Sequence, residues 1–233
     1  MRIAGSSSWR FEERDAQDLH SALFARDAGG LTLRPSPEIP PPLAAGWLAG
    51  AEAANAVVAQ ADRTKAAAQW LGWWRRLAGI TADQVRPPPA SDGRTVLPWL
   101  RARAKREAAA FDPPQFASLA ATPELRTLVT ATFGDAQRLL AEREQRRLQR
   151  GPQPGAFDFY IVRAAAEQAA VAGEVPMGDI DGVVQVLDVE GLWWYLAAPG
   201  RALCSVATAA DPAAAFGLLR TVFASKLGRP QRD

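Results

Sequence analysis

The densest apolar pattern in the chain lies at Gln69–Arg76, Gln-Trp-Leu-Gly-Trp-Trp-Arg-Arg, which holds three of the eight tryptophans. On a helix, Trp70, Trp73, Trp74 and Leu77 share one stripe at i, i+3, i+4, i+7, and Arg75 and Arg76 leave to its side. The stripe is either the centre of a helical core or a surface for a partner. Upstream, Phe11–Arg26 reads as a helix with Phe11, Leu19, Ala22 and Leu23 inward, stopped by Gly29-Gly30. Leu43–Gly79 reads as helical with a break near Asp62–Thr64, and its alanine-rich first half suits close packing.

Downstream, Thr81–Gln84 has the form of a capping box that Pro87-Pro88-Pro89 cuts short, and Ala90–Thr95 is a loop. Pro98 suits the first turn of a helix running to Phe111, with Leu100, Ala104, Ala108 and Phe111 on one side and Arg101, Arg103, Lys105 and Arg106 opposite. Thr122-Pro123 opens the cleanest amphipathic period, through Leu125, Leu128, Val129, Phe133 and Leu139, and this turns polar after Ala141.

Gly151–Gly155 is a joint, and Phe157–Ala172 continues as helix. Val183–Val189, Leu192–Ala197 and Ala202–Ala207 then read as three short strands joined by Glu190-Gly191 and Pro199-Gly200 turns. Asp211-Pro212 starts a last helix with Phe216, Leu219, Val222 and Phe223 inward.

The expected fold is therefore α+β. A mostly helical body spans 1–150, with proline-rich connectors at 34–42 and 87–89. The remainder, 151–233, holds a helix, an antiparallel β-meander of three strands and a covering C-terminal helix, packed on the body. Arg34, Pro37 and Pro40 fit an R-x-x-P-x-x-P spacing, but a plain semi-rigid connector is the preferred account of the segment.

Charge changes this picture in one place. The net charge is only +2, but residues 63–106 carry +8 while the flanking segments carry −3 each. A nucleic-acid surface would draw on Arg75, Arg76, Arg101, Arg103, Lys105 and Arg106, with tryptophans for stacking. The arginine, alanine and proline usage has the look of a GC-rich, actinobacterial-like genome, so arginine alone does not signal bidentate recognition.

Catalytic chemistry finds no support. His20 is the only histidine and Cys204 the only cysteine, which excludes a zinc site of sulfur and imidazole. No Gly-x-Ser-x-Gly elbow, G-x-G-x-x-G or Walker-type loop is present. Asp179 and Asp181 read as a turn into a strand, not a cation loop. Catalytic, cofactor-binding and metal-binding residues are accordingly assigned to none. The single cysteine, the early charges Arg10, Glu12 and Glu13, and the lack of a long apolar run lead us to expect a cytoplasmic protein without a membrane span.

The leading expectation is a non-catalytic interaction role, as adaptor, assembly factor or complex subunit with another protein as partner. Its oligomeric state is open. The candidate surface is Arg75, Arg76, Arg101, Arg103, Lys105, Arg106, Trp73 and Trp194, with Trp70, Trp74 and Leu77 as core anchors. Trp193 and Trp194, adjacent on a strand, must point to opposite faces. A nucleic-acid-binding role through 63–106 is the first alternative. A second comes from Asp188–Leu196 and Val206–Leu219, whose βββα pattern resembles the last sheet and helix of EspG-type chaperones of actinobacterial type VII secretion. The predominantly helical middle departs from that family's layout, and the resemblance implies a role in holding a secretion substrate.

Overall fold

Helix is the predominant element and one four-stranded mixed sheet accompanies it, an α+β chain. The computed structural model describes residues 9–14, 16–48, 60–82, 93–149 and 156–227. The joint expected at 151–155, the capping box from Asp83 onward, the second proline run and Gly228 lie outside them. The chain divides into two compact units. The first comprises Met1–Ala16, Pro35–Ala44 and Gln145–Asp233, and the second Gln17–Arg34 and Ala45–Glu144.

In the first unit the strands are β1 (Arg10–Arg14), β2 (Asp181–Leu187), β3 (Trp194–Ala198) and β4 (Arg201–Ser205), in the order β1-β2-β4-β3. Phe11 therefore begins no helix; it sits in β1, paired in parallel with Gly182. The expected meander is also corrected. β2 pairs with β4 in parallel, and only β3 and β4 form an antiparallel hairpin, closed at Pro199-Gly200 with Gly200 at φ 74°. The physical reason is legible in β2 itself. Gly182–Gln185 are all buried, a continuous run that belongs to a central strand with neighbours on both sides and not to a hairpin strand with one wet face.

The chain between β2 and β3 must therefore pass β4, and the proline segment braces that crossing. Leu43 bridges Val189, Ala44 N–H donates to the Asp188 carbonyl, and Glu190 N–H donates to the Pro42 carbonyl.

Two helices cover one face of this sheet. The first, α5 (Phe159–Ala172), opens on Asp158, whose carboxylate accepts from the Tyr160 and Ile161 amides. The other, α7 (Pro212–Leu227), opens with Asp211 accepting from Ala214 N–H, as its sequence implied. Alanines 165, 166, 169 and 170 are the buried face of α5, and Leu218, Leu219, Val222 and Phe223 that of α7. The approach is close enough that a Cβ on Gly182 would stand 2.8 Å from Phe223 Cε1. A further short helix, α6 (Val206–Ala210), follows β4 directly, capped by Ser205 Oγ accepting from Thr208 N–H.

The second unit is built on α1 (Gln17–Ala28), α2 (Gln60–Ala82), α3 (Gly93–Ala108) and most of α4 (Pro123–Gln149). Within α2 the helix runs through 62–64 without the expected break. Trp70, Trp73, Trp74 and Leu77 are all at most 1% exposed, so the stripe is core. Trp70 and Trp74 stack with centroids 5.4 Å apart, and the Trp70 indole donates to the Ala22 carbonyl of α1 at 2.7 Å. The Trp73 indole donates to the Ala110 carbonyl, and its ring stacks on Phe111, which meets Phe116 and Phe133 edge-on. Gln69 holds the start of α4 from both ends of its amide: its oxygen accepts from Leu125 N–H and its nitrogen donates to Glu124.

Candidate interaction surface

The eight sequence-predicted surface residues separate. Trp73 is fully buried and hydrogen-bonded inside the tryptophan core, so it faces no partner; a ring that size on the inward stripe of an amphipathic helix repays burial too well to stay outside. Trp194 is 40% exposed on β3, the edge strand of the sheet in the first unit. Trp193 precedes the strand, half-buried, and its indole donates to the Pro37 carbonyl. With Pro40 buried as well, the proline segment is docked on its own unit and is not laid out as a free R-x-x-P-x-x-P ligand.

Arg75 and Arg76 are exposed on α2, and Arg101, Arg103, Lys105 and Arg106 belong to α3. The sequence pattern sent the apolar side of α3 inward. The structure leaves that side exposed. Helix α3 begins at Gly93, five residues before Pro98, and no residue from Leu97 to Ala109 is buried. Its least exposed positions are Trp99, Arg103 and Glu107, one row at i, i+4, i+8. Arg103 lies over the Trp99 ring at 5.7 Å and donates to Glu107 at 2.7 Å. That arrangement satisfies the charge and partly shelters the indole.

Leu97 (58% exposed), Leu100 (46% exposed), Ala104 and Ala108 are left as an outward stripe. Arg101 and Lys105, four apart, run along its border, with Arg106 further round. Among the described residues Arg76, Arg101, Lys105 and Arg106 have no ion-pair partner, whereas Arg103 pairs with Glu107, Arg138 with Asp135 and Glu142, and Arg163 with Glu167. Donating to those carboxylates raises the pKa of Arg138 and Arg163 above the ordinary arginine value.

The residues that chemistry would call on lie as follows. His20 stacks on Trp47, 5.2 Å between centroids, with Arg143 4.6 Å from the same indole. Cys204 is buried in β4. Asp181, at the start of β2, pairs with Lys226 at 2.6 Å. Among the described residues no three His, Cys, Asp or Glu side chains are grouped to hold a metal ion, and no helix is long and apolar enough to cross a membrane. An open cavity of about 520 Å³ lies against α5 and α7, bordered by Gln168, Ala172, Arg220 and Thr221. It is wide and carries no convergent set of polar groups.

Sequence reasoning missed a second exposed apolar group. Phe159 (58% exposed) and Tyr160 (76% exposed) begin α5, and Trp9 packs 5.8 Å from Phe159. The signal was present in Asp158: an N-cap there forces the two aromatics into the first turn, where little covers them. No protein-family model, curated protein or solved structure matches the chain.

Proposed function

We propose that this is a non-catalytic interaction protein that docks another protein on the outward face of α3. The observation that carries the reading is the exposed apolar stripe of that helix, bordered by cations. Its leucines stand in solvent, bordered by unpaired Arg101 and Lys105, while its tryptophan is partly sheltered. Covering the roughly half of each leucine that is still exposed is worth about 1 kcal/mol each. A bound partner would collect it.

The test is a tagged full-length chain in the cells that naturally express it, as wild type and as Leu97→Asp/Leu100→Asp, with quantitative mass spectrometry of what each retains. The reading requires a discrete set of proteins held by the wild type and lost from the variant. Equal retention by both overturns it.

A nucleic-acid role is the second reading, favoured by the unpaired Arg76, Arg101, Lys105 and Arg106. Backbone-phosphate contacts would make such binding fall steeply with salt. It explains the cations and leaves the leucines unexplained. A secretion-chaperone role stands on the resemblance of 188–219 alone, and a cytoplasmic site of action on the single cysteine; purification with a secretion substrate and cell fractionation test them.

A further inference from the structure

Resting on the reading of α3 as a docking face, we infer that its partner presents an acidic amphipathic helix. Three features of the face select that occupant. First, the apolar stripe is narrow and tapers: Leu97 and Leu100 at one end, Ala104 and Ala108 four apart at the other. Small residues at that spacing let a second helix axis approach to about 8 Å, which a helix can exploit and a loosely packed lipid surface cannot.

Second, the one aromatic ring of the exposed helix, Trp99, is turned away from the stripe under Arg103. Membrane-surface helices commonly place such rings on the apolar face, and single-stranded nucleic acid stacks on them. This face offers neither.

Third, Arg101 and Lys105 follow one border of the stripe with no ion-pair partner among the described residues. Two cations four residues apart face one side of an adjacent helix, so carboxylates at the same spacing on the partner meet both at once. The described stretch Leu97–Ala108 is about 18 Å long, short for a stable interface, so the contact is weak and salt-dependent unless other surfaces join it.

The experiment uses the full chain and a fluorescent synthetic peptide of about 20 residues with a leucine–alanine stripe and glutamate at the flanking positions. A matched peptide carries lysine in place of glutamate. Anisotropy is read against wild type, Leu97→Asp/Leu100→Asp and Arg101→Glu/Lys105→Glu, with circular dichroism confirming that each variant keeps its helix content. The glutamate peptide should bind wild type at least about tenfold more tightly than the lysine peptide, and several-fold less tightly at high salt. The leucine double variant should bind neither. The charge-swapped variant should prefer the lysine peptide, a crossover that non-specific stickiness does not produce.

Equal affinity for both peptides, or a glutamate-peptide affinity unchanged by Leu97→Asp/Leu100→Asp, overturns the inference. So does tighter binding to phosphatidylglycerol vesicles or to a single-stranded oligonucleotide than to the glutamate peptide. If these arms fail while the leucine double variant still loses its cellular partners, the acidic-helix inference falls and the docking face stands. If the cellular partners are retained, the docking face itself falls.

Discussion

The indole N–H of Trp73 donates to the carbonyl of Ala110 at 2.7 Å, and two residues before that carbonyl the exposed helix α3 ends. The bond ties the turn after α3 into the tryptophan core while the helix from Leu97 to Ala108 has no buried side chain of its own. A rigid foot and an uncovered helix face are what a docking element needs: the face is held in place by its end and stays available along its length.

Replacing Trp73 by phenylalanine should therefore be costly. The change keeps an aromatic ring but leaves the Ala110 carbonyl without its donor and opens space beside Phe111. We expect a loss of about 2–4 kcal/mol in urea unfolding. Trp194→Phe, at a site 40% exposed, should stay within about 1 kcal/mol of wild type.

Glycine substitutions should part in sign. Gly182→Ala forces a Cβ to 2.8 Å from Phe223 and 2.9 Å from Val222, inside the sheet–helix seam, and should destabilise by about 1–3 kcal/mol. In α4, Gly134 has nothing within 4 Å of a Cβ, so Gly134→Ala should stabilise by up to about 1 kcal/mol. Thermal melts of both variants against wild type decide the pair.

The Gln69–Glu124 contact predicts a pH effect. The Gln69 amide, the backbone at Glu124 and the Lys65 charge hold the Glu124 carboxyl below its ordinary 4.5. A folded-state value below the unfolded one stabilises above pH 4.5 and is lost as the pH falls through the lowered value. Glu124→Gln should accordingly flatten the acid limb of the stability curve below that pH and leave its shape near neutrality unchanged. Urea midpoints taken across the acid range check this, and Gln69→Ala should return the carboxyl toward 4.5 in an NMR titration.

The tryptophan core and the α7 start were legible in sequence because their signals are local. Large rings at i, i+3, i+4, i+7 leave one plausible inward side, and Asp211-Pro212 supplies both cap and first turn. The sheet order was not. β1 pairs with β2 across some 170 residues, and no local pattern records a parallel partner so distant. Residues 188–193 resemble a hairpin connection in composition, with Gly191 at φ 66°, yet carry the chain past β4. The outward face of α3 was misplaced for an energetic reason. Two leucines and two alanines make a weak stripe, too little apolar surface to hold the helix face down, and Trp99 finds partial cover under Arg103 on the helix itself.

Exposure also predicts what the docking variant should not do. Leu97 and Leu100 touch solvent over about half their surface, so Leu97→Asp/Leu100→Asp should alter unfolding free energy by no more than about 1 kcal/mol. A larger loss would mean that these leucines pack in the free protein, and the partner-loss experiment would then report unfolding.

Hydrogen exchange at α3 reads the proposal most directly. The assembly retained by the tagged wild type is compared with the free protein, amide by amide, over Leu97–Ala108. Docking on the outward face predicts that exchange there slows by at least about tenfold in the assembly, while the core helix around Trp70–Leu77 is unchanged. Equal exchange of α3 in the free and assembled protein would contradict it.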